Sequence, residues 1–421
     1  MATVRPFKGV RPRPESAASI AALPYDVMNS LEAREMVKDN PLSFLYIDRP
    51  ELNFPVGHDM YSYEVYHKAR DVYNKLKDDG HYIQDDSPVF YIYQQTMGDR
   101  KQMGLVACAS IDDYINNVIK KHELTRREKE QDRVRHVDAM NANTGPIFLT
   151  YRNKGDISAI MQDWAANHAP IYDFTASAMG VGEVGHTAWL INCPEIITKI
   201  TKAFEGVESL YIADGHHRNA SALKVALLRR AQNPKYCPDS PINFYLSVIF
   251  PDDQLQIMDY NRVVKDLNGH SPADYLDKIQ ERFNAEEFGI DAYKPEKRHM
   301  FGMYLGADKK WYKLTAKPEF IDENDPVGRL DVSILQSGLL TPVIGIKDPT
   351  TDARIDFVGG LRGLKELERR VNSGEMAVAF AMFPPSMEEL MSISDAGKLM
   401  PPKSTWFEPK LLSGLFVHEL S

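Results

Sequence analysis

Leu210-Tyr211-Ile212-Ala213-Asp214-Gly215-His216-His217-Arg218 is the stretch on which the reading of this chain turns. Residues 210–213 form a short apolar run of strand length. Asp214-Gly215 is a turn pair, and the segment after it, through Arg230, reads as a helix. Strand, tight turn and helix in direct succession mark an α/β unit. The first N–H groups of a helix lack intrahelical partners and carry the positive end of its dipole, so an anion is welcome there. His-His-Arg is a poor choice for stability at that place, because cations oppose the dipole. The misfit points to function. Arg218 suits a bidentate grip on phosphate oxygens, and Asp214 suits a hydroxyl proton or a magnesium ion. The plainer alternative is an Asp-Gly turn with a solvated basic patch.

Working outward, residues 244–250 and 146–151 read as buried strands. Residues 88–96 and 104–109 read as a hairpin across Met97-Gly98-Asp99-Arg100. Helices are predicted over 30–38 with Ser30 as cap, over 61–79, and over 126–141 with a Thr125/Glu128 capping box. The proline-rich residues 5–27 are expected to run extended. Near the end, strand 355–358, helix 364–372 and strand 377–383 follow a βαβ pattern. No repeat is visible. The loop 230–241 is the best boundary candidate. The prediction is a mixed α/β (α+β) fold over 1–421 as one unit. Its phosphate-binding core lies around 205–250, and any internal subdivision is left open.

The chain has 421 residues, with 50 Lys plus Arg against 59 Asp plus Glu, so its formal charge is 50 − 59 = −9. Its acidic balance argues against a protein that coats nucleic acid. No apolar run approaches the ~18 residues of a membrane helix. Residues 1–10 are basic without an apolar stretch, which argues against a secretion signal. Cys108, Cys193 and Cys237 lie far apart, as suits a reducing cytoplasm, and a cytoplasmic location is expected.

A second constellation is His122-Glu123-Leu124-Thr125-Arg126-Arg127. Its arginines again fall in a first helical turn, against the dipole, as a site needing carboxylate and guanidinium together would require. A solvated charged helix is the alternative. A third is Pro401-Pro402-Lys403-Ser404-Thr405, a stiff loop with a cation and two hydroxyls, suited to phosphate or carboxylate. Gly180 to Gly185 match G-x-G-x-x-G, but a strand follows them, so a hairpin is expected rather than a dinucleotide site.

In order along the chain, Pro6-Phe7-Lys8-Gly9, Pro24-Tyr25-Asp26-Val27, His122-Glu123-Leu124-Thr125, Asp132-Arg133, Gly145-Pro146-Ile147-Phe148, Asp214 to Arg218 and Met400 to Thr405 resemble the DUF1015 family. Family members usually carry Tyr where this chain has Asn219. The Asp-Gly-His-His-Arg stretch is also similar to the phosphate-binding turn of the ParB and sulfiredoxin superfamily, which includes free-serine kinases. That resemblance implies a nucleotide whose phosphates rest on residues 214–218. Sulfiredoxin needs a Cys where His216 stands, so sulfinic-acid repair is disfavoured.

The resulting expectation is a small-molecule kinase, a transferase with an alcohol acceptor. Free L-serine is the best single guess, through the superfamily resemblance. The alternative is a nucleotide-sensing binding protein without turnover. Catalytic candidates are Asp214, Glu123, His122 and Arg126. Gly215, His216, His217, Arg218, Lys403, Ser404 and Thr405 are expected to bind the donor. The donor is a nucleotide (ATP or ADP) or pyrophosphate, with Mg²⁺ expected. Metal ligands, the choice of base and the oligomeric state stay open. No nucleic-acid or membrane partner is expected.

Overall fold

The strand Leu210–Asp214 lies next to the end of a nine-stranded sheet. Its outer neighbour, Ile119–Lys120, runs parallel to it, and its inner neighbour, Ile147–Tyr151, runs antiparallel. The register shifts between Ile212 and Asp214. Such a bulge re-aims side chains at a strand end. The sheet continues through Phe244–Pro251, Arg100–Ser110, Phe90–Met97, Gly182–Ile191 and Tyr172–Ala178, with Val4–Arg5 paired onto Arg100–Ser110. This is a mixed α/β fold, described by a computed structural model over residues 1–178, 180, 182–233 and 237–421.

The chain divides into two units, Met1–Leu255 with Pro409–Ser421, and Gln256–Glu408. The 230–241 loop lies inside the first, and its residues 234–236 are outside the described residues. In the first unit Ile92, Leu105, Leu149, Ile212 and Ile249 belong to one apolar core with Ile200, Phe204, Val225 and Ala226. Strand Leu210–Asp214 is therefore anchored by its side chains, which fixes where the turn after it stands. Helices Arg127–Met140 and His216–Gln232 pack side by side.

The second unit holds a six-stranded sheet whose described pairings are all antiparallel. Ile355–Gly359 and Val378–Ala381 both pair with Tyr260–Val264, so the two arms of the βαβ pattern are parallel but separated by one strand. The helix between them, Gly363–Asn372, packs Leu367 and Val371 onto Val263, Trp311 and Val358.

Several expectations need correcting. Residues 5–27 are not simply extended: a helix, Pro14–Ile20, begins on a proline. Proline is tolerated in a first turn because its missing N–H would be unpaired anyway. The cap of helix Ser30–Val37 is Asn29, which forms a capping box with Glu32, so Ser30 is already helical. The Thr125/Glu128 box is absent. The helix starts at Arg127, and the Thr125 hydroxyl instead donates to Glu130 at 2.6 Å. Strand Tyr172–Ala178 was not predicted. It pairs antiparallel with Gly182–Ile191, while the turn of this glycine-rich hairpin includes residues 179 and 181, outside the described residues. Among the described residues no helix is long and apolar enough to cross a membrane.

Candidate active site

Gly215 takes φ +94°, a left-handed conformation that glycine adopts readily. A Cβ there would also meet the Arg218 guanidinium at 3.2 Å. This residue lets the strand turn directly into helix His216–Gln232 and leaves the first-turn N–H groups without helical acceptors. Asp214 closes the turn: its Oδ1 accepts from the Gly215 N–H at 2.7 Å, and its Oδ2 from Lys410 Nζ at 2.9 Å. Burial alone would raise the Asp214 pKa. Lys410, Arg218 and the Gly215 N–H override it and hold the carboxyl well below its usual range.

The second constellation meets the first. Glu123 Oε2 lies 4.0 Å from His216 Nδ1. The His122 ring stands at 88° to the His216 ring with centroids 4.5 Å apart. Arg126, the residue before helix Arg127–Met140, donates its backbone N–H to His217 Nε2 at 3.0 Å, which ties the start of that helix to the turn. Both His122 and His216 are buried. Burial lowers the His122 pKa to about 4, against the pull of Asp214 and a backbone hydrogen bond at Ile212. Burial, and then the neighbouring His122, push His216 well below its ordinary value. Both rings are neutral at pH 7. The cationic clash with the helix dipole inferred from the sequence is thereby removed for His216.

Glu123 is the more exposed carboxylate, its side chain 46% exposed against 30% for Asp214. Donor atoms of His122, Glu123 and His216 all lie within 4.8 Å of one another. Two imidazoles and one carboxylate suit a borderline transition metal better than Mg²⁺, which prefers oxygen ligands and keeps its phosphate partners. Among the protein groups here, Glu123 is the one Mg²⁺ would choose.

The other predicted residues fall as follows. Arg218 folds back, donating Nη1 to the Pro146 carbonyl at 2.5 Å. That bond turns part of the guanidinium away from the first-turn N–H groups. The Arg126 side chain is exposed. Lys403, Ser404 and Thr405 belong to the second unit. There Lys403 takes φ +59°, its carbonyl accepts from Arg262 at 3.0 Å, and the buried Ser404 hydroxyl donates to the Pro401 carbonyl. Sequence reasoning missed Lys410, the cation of Asp214, which lies 196 positions away and carries no local signal. It also missed Glu130, which meets Lys224 of helix His216–Gln232. That pair ties the two helices of the site together.

These features define a mixed α/β protein with a helix N-terminus facing a carboxylate and two neutral imidazoles. The chain belongs to the DUF1015 family, described as proteins of unknown function, whose model matches residues 4–333. A comparison with curated proteins finds no match. Among solved structures, a free serine kinase in complex with AMP is similar at 16% identity and a TM-score of 0.36, covering 72% of this chain and 86% of that one. A conserved hypothetical protein from Pyrococcus furiosus gives 16% and 0.33, over 74% of this chain and 94% of its own. SbnI with a C-terminal truncation, from Staphylococcus aureus, gives 10% and 0.35, over 73% and 85%.

Proposed function

We propose that the protein is a phosphotransferase acting on a hydroxyl group of a small molecule, with free L-serine as the first acceptor to try. The observation that carries this reading is the junction of residues 122–126 with the turn 214–218, through the 4.0 Å and 3.0 Å contacts of His216 and His217. Phosphoryl transfer needs positioned phosphates and an oriented acceptor more than it needs covalent chemistry. The first-turn N–H groups after Gly215 supply donors for phosphate oxygens. Glu123 orients the acceptor hydroxyl and takes its proton. Asp214 is unsuited to that role, because both its oxygens are engaged and its partners keep it ionised as a weak base. Neutral His216 donates or accepts a hydrogen bond without adding charge. Mg²⁺ would arrive on the donor's phosphates and neutralise them, with Glu123 as the protein group within reach. The sequence resemblance to free-serine kinases supplies the choice of serine.

The test is purified protein with Mg²⁺, one donor at a time (ATP, ADP, pyrophosphate) and L-serine among other hydroxylated metabolites, followed by phosphorus NMR. A new phosphomonoester that needs Glu123 is expected. If no donor and acceptor pair gives one, while nucleotide still binds, the alternative of a nucleotide-sensing protein takes its place.

A further inference from the structure

A cavity in the first unit is lined by Tyr25, Asp48, Arg133, Thr144 and Arg218, among others. It gathers residues of three stretches that the phosphate turn leaves unexplained: Tyr25 after Pro24, Arg133 after Asp132, and Asn143 to Gly145 with Ile147. Tyr25 is 9% exposed, and its hydroxyl has no hydrogen-bond partner; Arg218 Nε, also buried, has none either. Neither group can easily turn away. The Arg133 guanidinium lies 4.0 Å from the Tyr25 ring centroid, and its nitrogens are held by Asp132 and the Asp48 carbonyl. Arg218 is fixed by the Pro146 carbonyl. Burial, and then Asp26, push the Tyr25 pKa up, so the phenol keeps its proton at neutral pH and stays a donor.

Two buried donors on the walls of one cavity call for an acceptor, and an oxyanion satisfies both. The lining also carries the opposite sign. Asp48 is 3% exposed and accepts from the Thr144 hydroxyl at 2.8 Å. A polyphosphate would set its charge against Asp48. A small carboxylate that brings a hydrogen-bond donor of its own meets both signs. We propose that this cavity is the acceptor pocket, with Tyr25 Oη and Arg218 Nε binding the acceptor's carboxylate and Asp48 taking its ammonium or other donor group. Calling the ligand an acceptor rests on the phosphotransferase reading; the cavity's match to a small carboxylate does not. Arg218 then joins the two halves of the site, its backbone in the turn and its side chain in the pocket.

Calorimetry and thermal unfolding of the whole chain, without nucleotide, test this with four probes: L-serine, glycerate, ethanolamine and pyrophosphate. Serine is expected to bind, and ethanolamine, which lacks the carboxylate, at least about tenfold more weakly. Tyr25→Phe should weaken serine by about tenfold or more and leave pyrophosphate unchanged. Its unfolding temperature should stay or rise, since the change deletes an unpartnered buried hydroxyl. Parental serine affinity in Tyr25→Phe overturns the proposal, as does equal binding of ethanolamine and serine, or no binding of serine or glycerate at millimolar concentration. A Tyr25→Phe effect on pyrophosphate but not on serine reassigns the cavity to a donor phosphate and also overturns it. Tyr25-dependent serine binding in a protein that never phosphorylates serine supports the pocket and removes the kinase reading.

Discussion

Two aspartates at helix starts, one in each unit, have opposite fates. Asp214 precedes helix His216–Gln232, and Asp331 opens the short helix Asp331–Leu335. Burial pushes both upward. At Asp214, Lys410 and Arg218 reverse the push and the carboxylate stays charged. At Asp331 burial prevails and Glu389 adds to it, against the His299 N–H and Arg298, so its pKa is pushed up to about 7. Arg298, the nearby cation, pairs with Glu389 at 3.0 Å. Asp331 Oδ2 has no hydrogen-bond partner. The cations each carboxylate holds decide whether burial prevails: Lys410 and Arg218 outweigh it at Asp214, and Arg298 does not at Asp331. The first unit sets two cations, Lys410 and Arg218, beside the one charge at the turn 214–218. That arrangement makes sense if Asp214 orders the turn while Glu123 does the chemistry.

The largest expected effect tests that division. Glu123→Gln should lower kcat by at least about 10²-fold with donor affinity nearly kept. Steady-state kinetics at saturating donor measures it, and circular dichroism checks the fold. Equal rates in the variant and the parent would break the comparison. Next in size is Lys410→Met, which leaves the Asp214 carboxylate without its closest cation. A loss of about 1–3 kcal/mol in denaturant unfolding at pH 7 is expected. The pH dependence should change with it. Asp214's folded pKa lies below its unfolded value, so its contribution is present above the ordinary carboxylate range and is lost as pH falls through the folded value. The variant should therefore lose less stability than the parent on acidification.

Asp331 should show the opposite sign. Its folded pKa of about 7 exceeds the unfolded 3.8, so its contribution is full at low pH and disappears as pH rises from about 4 through 7. The groups facing it are Glu389, Arg298 and His299. The slope is at most about 1.4 kcal/mol per pH unit for one proton. Asp331→Asn should remove this slope in unfolding curves taken across that range. The smallest effect concerns a carboxylate for which the expected cap is absent. Glu128→Ala should stay within about 0.5 kcal/mol of the parent in the same assay, because Thr125 bonds Glu130 instead.

Much of the first unit was legible. The apolar run 210–213 and the Asp-Gly pair placed a strand, a turn and a helix where they stand, because buried strands and positive-φ glycines leave local marks. The two polar constellations were visible as charges in the wrong place, and the structure brings them into contact. The helix start at 125–128 was misread because a capping box and a hydroxyl aimed at Glu130 look alike until the partner helix, with Lys224, is in position. Lys410 was out of reach for a similar reason: a lone lysine in a loop shows no sign of the carboxylate it will meet. The helix Pro14–Ile20 was lost to a proline read as a breaker when it was a first-turn residue.

In the proposed kinase the turn 214–218 holds a nucleotide's phosphates, with the segment 122–126 against it. Hydrogen–deuterium exchange of the whole protein with and without saturating ADP tests it most directly. Slower amide exchange is expected at 216–219 and 122–127, since those N–H groups gain acceptors or become covered. Binding of ADP with unchanged exchange in both segments, or with protection confined to other parts of the chain, would contradict it.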